Sequence, residues 1–178
     1  MSKHQRISIG LLLAIVLQGA VLIGEYVNAA YPLWVGKEIT LETRPVDPRS
    51  LFRGNYAVLR YSINTIPATA LKSKMESGKR LRNGEVVYVS LKQTEKGTYD
   101  YADASLVPPE QGLYIRGRLA NRNVDAELNA YHIRYGIEAY FAPKDKAVAL
   151  EKELRSGAEA AIFVASNGKA ALFAVHTN

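Results

Sequence analysis

Cysteine is absent from the chain, which removes disulfides, thiolate nucleophiles and cysteine-ligated zinc together and leaves the redox compartment open. The three histidines, His4, His132 and His176, are scattered, with no His-x-x-x-His or Glu-x-x-His pair, so no metal site is expected. A Walker loop, a dinucleotide fingerprint and a Gly-x-Ser-x-Gly elbow are all missing, and no cofactor is expected either. Internal repeats and low-complexity linkers are lacking too. No Lys/Arg block is interleaved with aromatics, which argues against a nucleic-acid partner. Lys72, Lys74, Lys79, Arg80 and Arg82 form a loose basic stretch, to be read as a solvated face or as attraction to anionic lipid or cell-wall polymer.

What is present fits an anchor followed by one domain. The chain has 178 residues, 48% of them hydrophobic and 22% charged, with a formal net charge of +6. That composition is globular and large enough for a real core. Lys3, His4 and Arg6 precede an apolar run from Ile7 to Gly24 broken only by Ser8 and Gln18. Some 18 such residues make roughly 27 Å of helix, close to the hydrocarbon thickness of a bilayer. Tyr26, Tyr31 and Trp34 follow where amphipathic rings suit the headgroup region, and the basic end stays in the cytoplasm. Val27-Asn28-Ala29 also offers a signal-peptide cleavage site, but the length of the run and its continuation through Glu25 favour an uncleaved anchor. Residues 1–30 are thus expected to be a single-pass anchor and 31–178 an exported domain. In a Gram-negative cell this places the domain in the cell envelope, on the periplasmic side of the inner membrane.

The rest of the chain is organised around a corner, T-R-P-V-D-P-R-S-L-F-R-G-N-Y-A-V-L-R-Y, from Thr43 to Tyr61. Pro45 and Pro48 keep the backbone out of the helix region, and Asp47 before Pro48 is a turn-starting pair. Arg53-Gly54-Asn55 reads as a second turn feeding a strand from Tyr56 to Ile63. Arg44, Arg49 and Arg53 fall in the turns of this corner and Arg60 in the strand that follows them. Such density suits either a structural role, tying the loop to its own carbonyls and to Asp47, or an anion site.

The spacing Gly54-x-Tyr56-x-x-Leu59-x-Tyr61, with Arg44-Pro45-Val46-Asp47-Pro48-Arg49 and Leu51-Phe52-Arg53-Gly54 before it, resembles the GDYXXLXY family. Asn55 stands where that signature has aspartate; it keeps the size and turn tolerance and loses the charge. Tyr135-Gly136-Ile137-Glu138-x-Tyr140-Phe141 resembles a late block of the same family. The resemblance brings no reaction with it. It implies an accessory or binding subunit that meets a polytopic membrane protein, since such proteins are typically encoded near family members.

Beyond Tyr31 the chain alternates like an antiparallel sheet protein. Lys37–Thr43, Glu85–Leu91 with Thr98–Ala104, Leu113–Leu119, Tyr131–Phe141 and a final hairpin turning at Asn167-Gly168 read as strands. Pro67–Ser77 and Asp145–Arg155 read as short helices. The expected fold is mainly β, an antiparallel barrel or sandwich-like domain of about seven or eight strands with one or two short helices.

Candidate binding residues are Arg44, Asp47, Arg49, Arg53, Asn55, Tyr56, Tyr61, Arg116 and Glu138. Leu59 and Tyr61 are expected to be buried. Glu138 is expected to pair with a motif arginine and fasten the corner, or else to act as a general base. No catalytic set is evident. The surviving enzyme alternative is a signal-peptidase-like serine hydrolase with Ser50 as nucleophile and Lys92 as base, although Ser50 sits on the wrong side of Pro48 for that pattern. A third alternative is an anionic lipid- or glycan-binding module using Arg44, Arg49, Arg53 and Arg116.

Overall fold

The computed structural model describes residues 3–44, 56–72, 81–121, 124–125, 129–141 and 157–177. A single helix, α1 (Lys3–Val35), leads into the domain. It runs past the expected apolar stretch because nothing between Glu25 and Val35 breaks it except Pro32, which removes one backbone donor. Its apolar residues from Ile7 to Ile23 are exposed, and the segment Ile7–Val35 is long and apolar enough to cross a membrane.

Ten strands follow among the described residues: β1 (Lys37–Glu42), β2 (Tyr56–Val58), β3 (Thr65–Pro67), β4 (Val86–Gln93), β5 (Tyr99–Ser105), β6 (Tyr114–Leu119), β7 (Ala130–Arg134), β8 (Ala139–Phe141), β9 (Ala158–Val164) and β10 (Ala170–Thr177). A 3-10 turn at Ser62–Asn64 and a short helix, α2 (Ala68–Lys72), complete the set. Eight strands form one sheet in the order β10-β9-β1-β5-β4-β6-β7-β3, and β2 pairs with β8 apart from it. The fold is mainly β, as its alternation predicts. The pairings are antiparallel except one, β1 with β5, where Leu41 faces Tyr99 in parallel. The sheet curls far enough for the β9–β10 turn to meet β6, where the Arg116 amide donates to the Gly168 carbonyl at 2.7 Å.

Alternation decides the two faces. Ile39 and Leu41 of β1, Val87, Val89 and Leu91 of β4, and Ile115 and Leu119 of β6 enclose one core with Leu59, Ile63 and Ile133. Gly117 is required on the inner face of β6, because a Cβ there would run into Ile133 and the Tyr135 ring.

Three expectations are corrected. The strand from Tyr56 to Ile63 stops at Val58, because the Tyr61 amide donates to Asn64 Oδ1 at 2.6 Å and the chain turns through Ser62–Asn64. The run Tyr131–Phe141 divides into β7 and β8 at Gly136, whose φ of 83° no extended strand has. The helix expected from Pro67 begins at Ala68, since Pro67 pairs with Ala130 at the end of β3, and residues 73–80 lie outside the described set. The helix expected at Asp145–Arg155 lies outside it as well.

The helix is joined to the sheet by its own irregularity. Pro32 cannot donate to the carbonyl of Asn28 four residues back, and Lys169 Nζ donates to that carbonyl instead, and to Asn28 Oδ1 at 2.8 Å. At the end of α1 the Gly36 amide bonds the Pro32 carbonyl at 2.8 Å. A Cβ on Gly36 would strike that carbonyl and the backbone of Val164, so this junction admits only glycine without rearrangement.

Candidate functional site

Two groups of residues stand out, one inside the sheet and one on its outer face. The inner group is built on the second half of the signature. Leu59 and Tyr61 are each 1% exposed. The Tyr61 hydroxyl donates to the Ile137 carbonyl at 2.6 Å, and the Tyr135 hydroxyl donates to the Ile63 carbonyl at the same distance. These crossed bonds tie the signature to the late block. The Leu59 amide adds a third tie, to the Glu138 carbonyl at 2.7 Å.

Glu138 closes the arrangement. Its carboxylate accepts from the amides of Tyr135 at 2.6 Å and Gly136 at 2.8 Å, and from Asn64 Nδ2 at 3.2 Å. The same Asn64 amide donates to the Ile133 carbonyl at 2.7 Å. Among the described residues its partners are two backbone amides and Asn64; of the motif arginines with which a pairing was expected, Arg49 and Arg53 lie outside that set. Burial, and then the Glu138 charge, push the phenols of Tyr61 and Tyr135 well above the usual tyrosine range. Both stay protonated and act as permanent donors. Chemically this is a latch: no buried side-chain polar atom in it lacks a partner among the described residues.

The outer group lines a cleft of about 620 Å³ between β6, β7 and the start of β10. Arg116 and Arg118 project from the outer face of β6, Arg134 from that of β7, and Lys169 joins them from the β9–β10 turn. Arg118 and Arg134 are paired residues on adjacent strands, like charges directly opposite each other. The other cross-strand neighbour of Arg118 is Val86, and that of Arg116 is Tyr88. Arg118 Nη1 donates to the Gly84 carbonyl at 3.0 Å. Among the described residues no carboxylate lies within ion-pair distance of these four cations. A second groove shares Lys169 and runs on to Glu25, Asn28 and Ala29 of the helix.

The sequence-predicted site residues separate. Tyr61 and Glu138 meet in the latch, and Arg116 enters the cleft. Arg44 is exposed at the end of β1, its amide bonded to the Arg60 carbonyl at 2.7 Å. The backbone of Tyr56 pairs with Phe141. Asp47, Arg49, Arg53, Asn55 and Ser50 lie outside the described residues. Lys92 is exposed on β4, across from Asp100. Arg118, Arg134 and Lys169 were not anticipated as site residues. The Arg-x-Arg of β6 gave a signal, but the register that sets Arg118 against Arg134 is not written in either strand. No cluster of metal-ligating side chains occurs among the described residues.

Fold and site together define a curled β domain carried on one apolar helix, fastened inside by its signature and lined outside by cations that meet no carboxylate among the described residues. The chain belongs to the GDYXXLXY protein family, whose profile matches residues 18–175. No match was found among curated proteins or among solved structures.

Proposed function

We propose that the protein is a membrane-anchored accessory subunit, held in the cell envelope outside the cytoplasm, whose helix engages a polytopic membrane protein. The observation that carries this reading is α1 itself. Its apolar surface is exposed along the spanning segment, while its far end is tied to the domain through Asn28–Lys169. A helix that only tethered the domain would need no such lock. Gly10, Gly19 and Gly24 have open space where a Cβ would be, which supports close approach by another membrane helix. Lys3 and Arg6 before the span support a cytoplasmic N-terminus and, with it, the reading of a periplasmic domain in a Gram-negative cell.

The test is photocrosslinking from positions along α1 in native membranes, followed by identification of the adducts. One polytopic protein crosslinked from the face shared by Gly10 and Gly24 and not from the opposite face is the expected result. Adducts to lipid alone from every face would overturn the partner reading and leave the anchor standing.

A further inference from the structure

We infer that the cleft lined by Arg116, Arg118, Arg134 and Lys169 binds the phosphate of an anionic phospholipid headgroup at the membrane surface. The inference rests on α1 being inserted as an anchor. It starts from the charge arrangement. Arg118 and Arg134 face each other across the β6–β7 pair, with no carboxylate near them among the described residues. Like charges directly opposite on a sheet repel, so the pair is best satisfied by an anion bound between them. Guanidinium groups meet phosphate oxygens with paired hydrogen bonds, and two of them with Arg116 beside them offer a surface for one phosphate.

Lys169 gives the address. Its ammonium spends two of its three donors on Asn28 and keeps a third, with its charge unneutralised. Asn28 lies four residues beyond Gly24, where the apolar run ends, so it stands about 6 Å further along the helix. That falls within the headgroup layer, which is roughly 5–8 Å thick on each side of the hydrocarbon. The sheet cannot sink deeper, because among the described residues β10 is an edge strand, and its unpaired backbone groups would have no partners in hydrocarbon. The cleft therefore opens beside α1 at the depth of lipid phosphates, with Glu25 in the adjoining groove as the acidic group on the helix side. Depth selects the lipid over a soluble anion of the same chemistry.

The full-length protein is placed in nanodiscs of phosphatidylcholine, with or without one-fifth phosphatidylglycerol, and the lipid retained after detergent extraction is measured by native mass spectrometry. The variants are Arg118→Gln/Arg134→Gln, the single Arg116→Gln, and Lys92→Gln/Lys96→Gln as a charge-matched control away from the cleft. The wild type is expected to retain phosphatidylglycerol, with retention falling about fivefold for each cleft arginine removed and unchanged in the control. Arg116→Gln, on an exposed position, keeps the test valid if the double variant fails to fold. Equal retention by wild type and cleft variants, or an equal loss in the control, overturns the inference while leaving the anchor intact. Failure of the wild type to enter neutral nanodiscs overturns both. In neutral nanodiscs, inorganic phosphate is added alone; a thermal stabilisation as large as that from phosphatidylglycerol overturns the lipid assignment in favour of a free anion.

Discussion

The inner and outer faces of β6 and β7 belong to the same two strands and are built on opposite terms. Inside, Ile115, Leu119, Ile133 and Tyr135 are buried, and the one polar group among them, the Tyr135 hydroxyl, has a backbone carbonyl as partner. Outside, Arg116, Arg118 and Arg134 alternate with them and find no opposite charge among the described residues. On one face the chain supplies partners for its own polar groups; on the other, among the described residues, it supplies no counter-charge. Burying an unsatisfied polar group is costly, so the inner face has been completed. The outer face is where something from outside is needed. The family signature lies with the first kind: Leu59 and Tyr61 explain why the fold holds, and say little about what it binds.

Substitutions divide along the same line. Leu59→Ala should have the largest effect, a loss of about 2–5 kcal/mol measured by denaturant unfolding of the full chain in detergent micelles, because a cavity opens in a filled core. Tyr61→Phe should cost about 1–3 kcal/mol in the same assay, since the Ile137 carbonyl is left buried without its donor.

The phenols also set an alkaline limit. In the unfolded chain they ionise near the ordinary tyrosine value, while in the folded chain they hold their protons to higher pH. Their contribution is complete below about pH 10 and is lost as pH rises toward the folded values, at about 1.4 kcal/mol per pH unit for each phenol. Unfolding free energy measured between pH 9 and 11 should therefore fall in the wild type and fall less steeply in Tyr61→Phe. An identical slope in the two would show that Tyr61 does not set the limit.

Lys169→Met should cost about 0.5–1.5 kcal/mol, with the loss centred on the helix junction, because the Asn28 carbonyl freed by Pro32 loses its donor. Hydrogen exchange should show it as faster amide exchange around Tyr31–Gly36 with the core unchanged. The smallest effect has the opposite sign. Arg118→Gln in neutral detergent should stabilise the fold by about 0.2–1 kcal/mol, because a repulsion across the strand pair is relieved. Destabilisation by that variant would mean that the outer face, too, is completed from within, and the contrast between the faces would fail.

Local features were legible in the sequence and distant pairings were not. The alternation of Ile39 and Leu41, the β4–β5 hairpin and the Asn167-Gly168 turn each depend on residues a few positions apart, and each is found where it was expected. The burial of Leu59 and Tyr61 follows from the same alternation. The signature strand was drawn too long because Asn64 takes the Tyr61 amide, a competition that composition does not reveal. Glu138 was sought beside an arginine because a carboxylate and nearby cations invite that pairing; the two amides that the turn at Gly136 supplies to it were not foreseen. The cleft was half visible: Arg116 was singled out, but the face it shares with Arg134 is created by strand register, which depends on how the sheet closes.

The position of β1 bears on how the domain comes to completion. It is the first strand after the helix, yet its neighbours are β5 on one side and β9 on the other. As the chain is made, β1 is therefore held beside the membrane with one edge vacant until β5 is made and the other until β9 arrives. Contacts so distant in sequence are slow to form. A chain that stopped before β9 would carry its anchor and most of its strands and still show an open edge to its neighbours, which makes the last hairpin the seal of the whole domain.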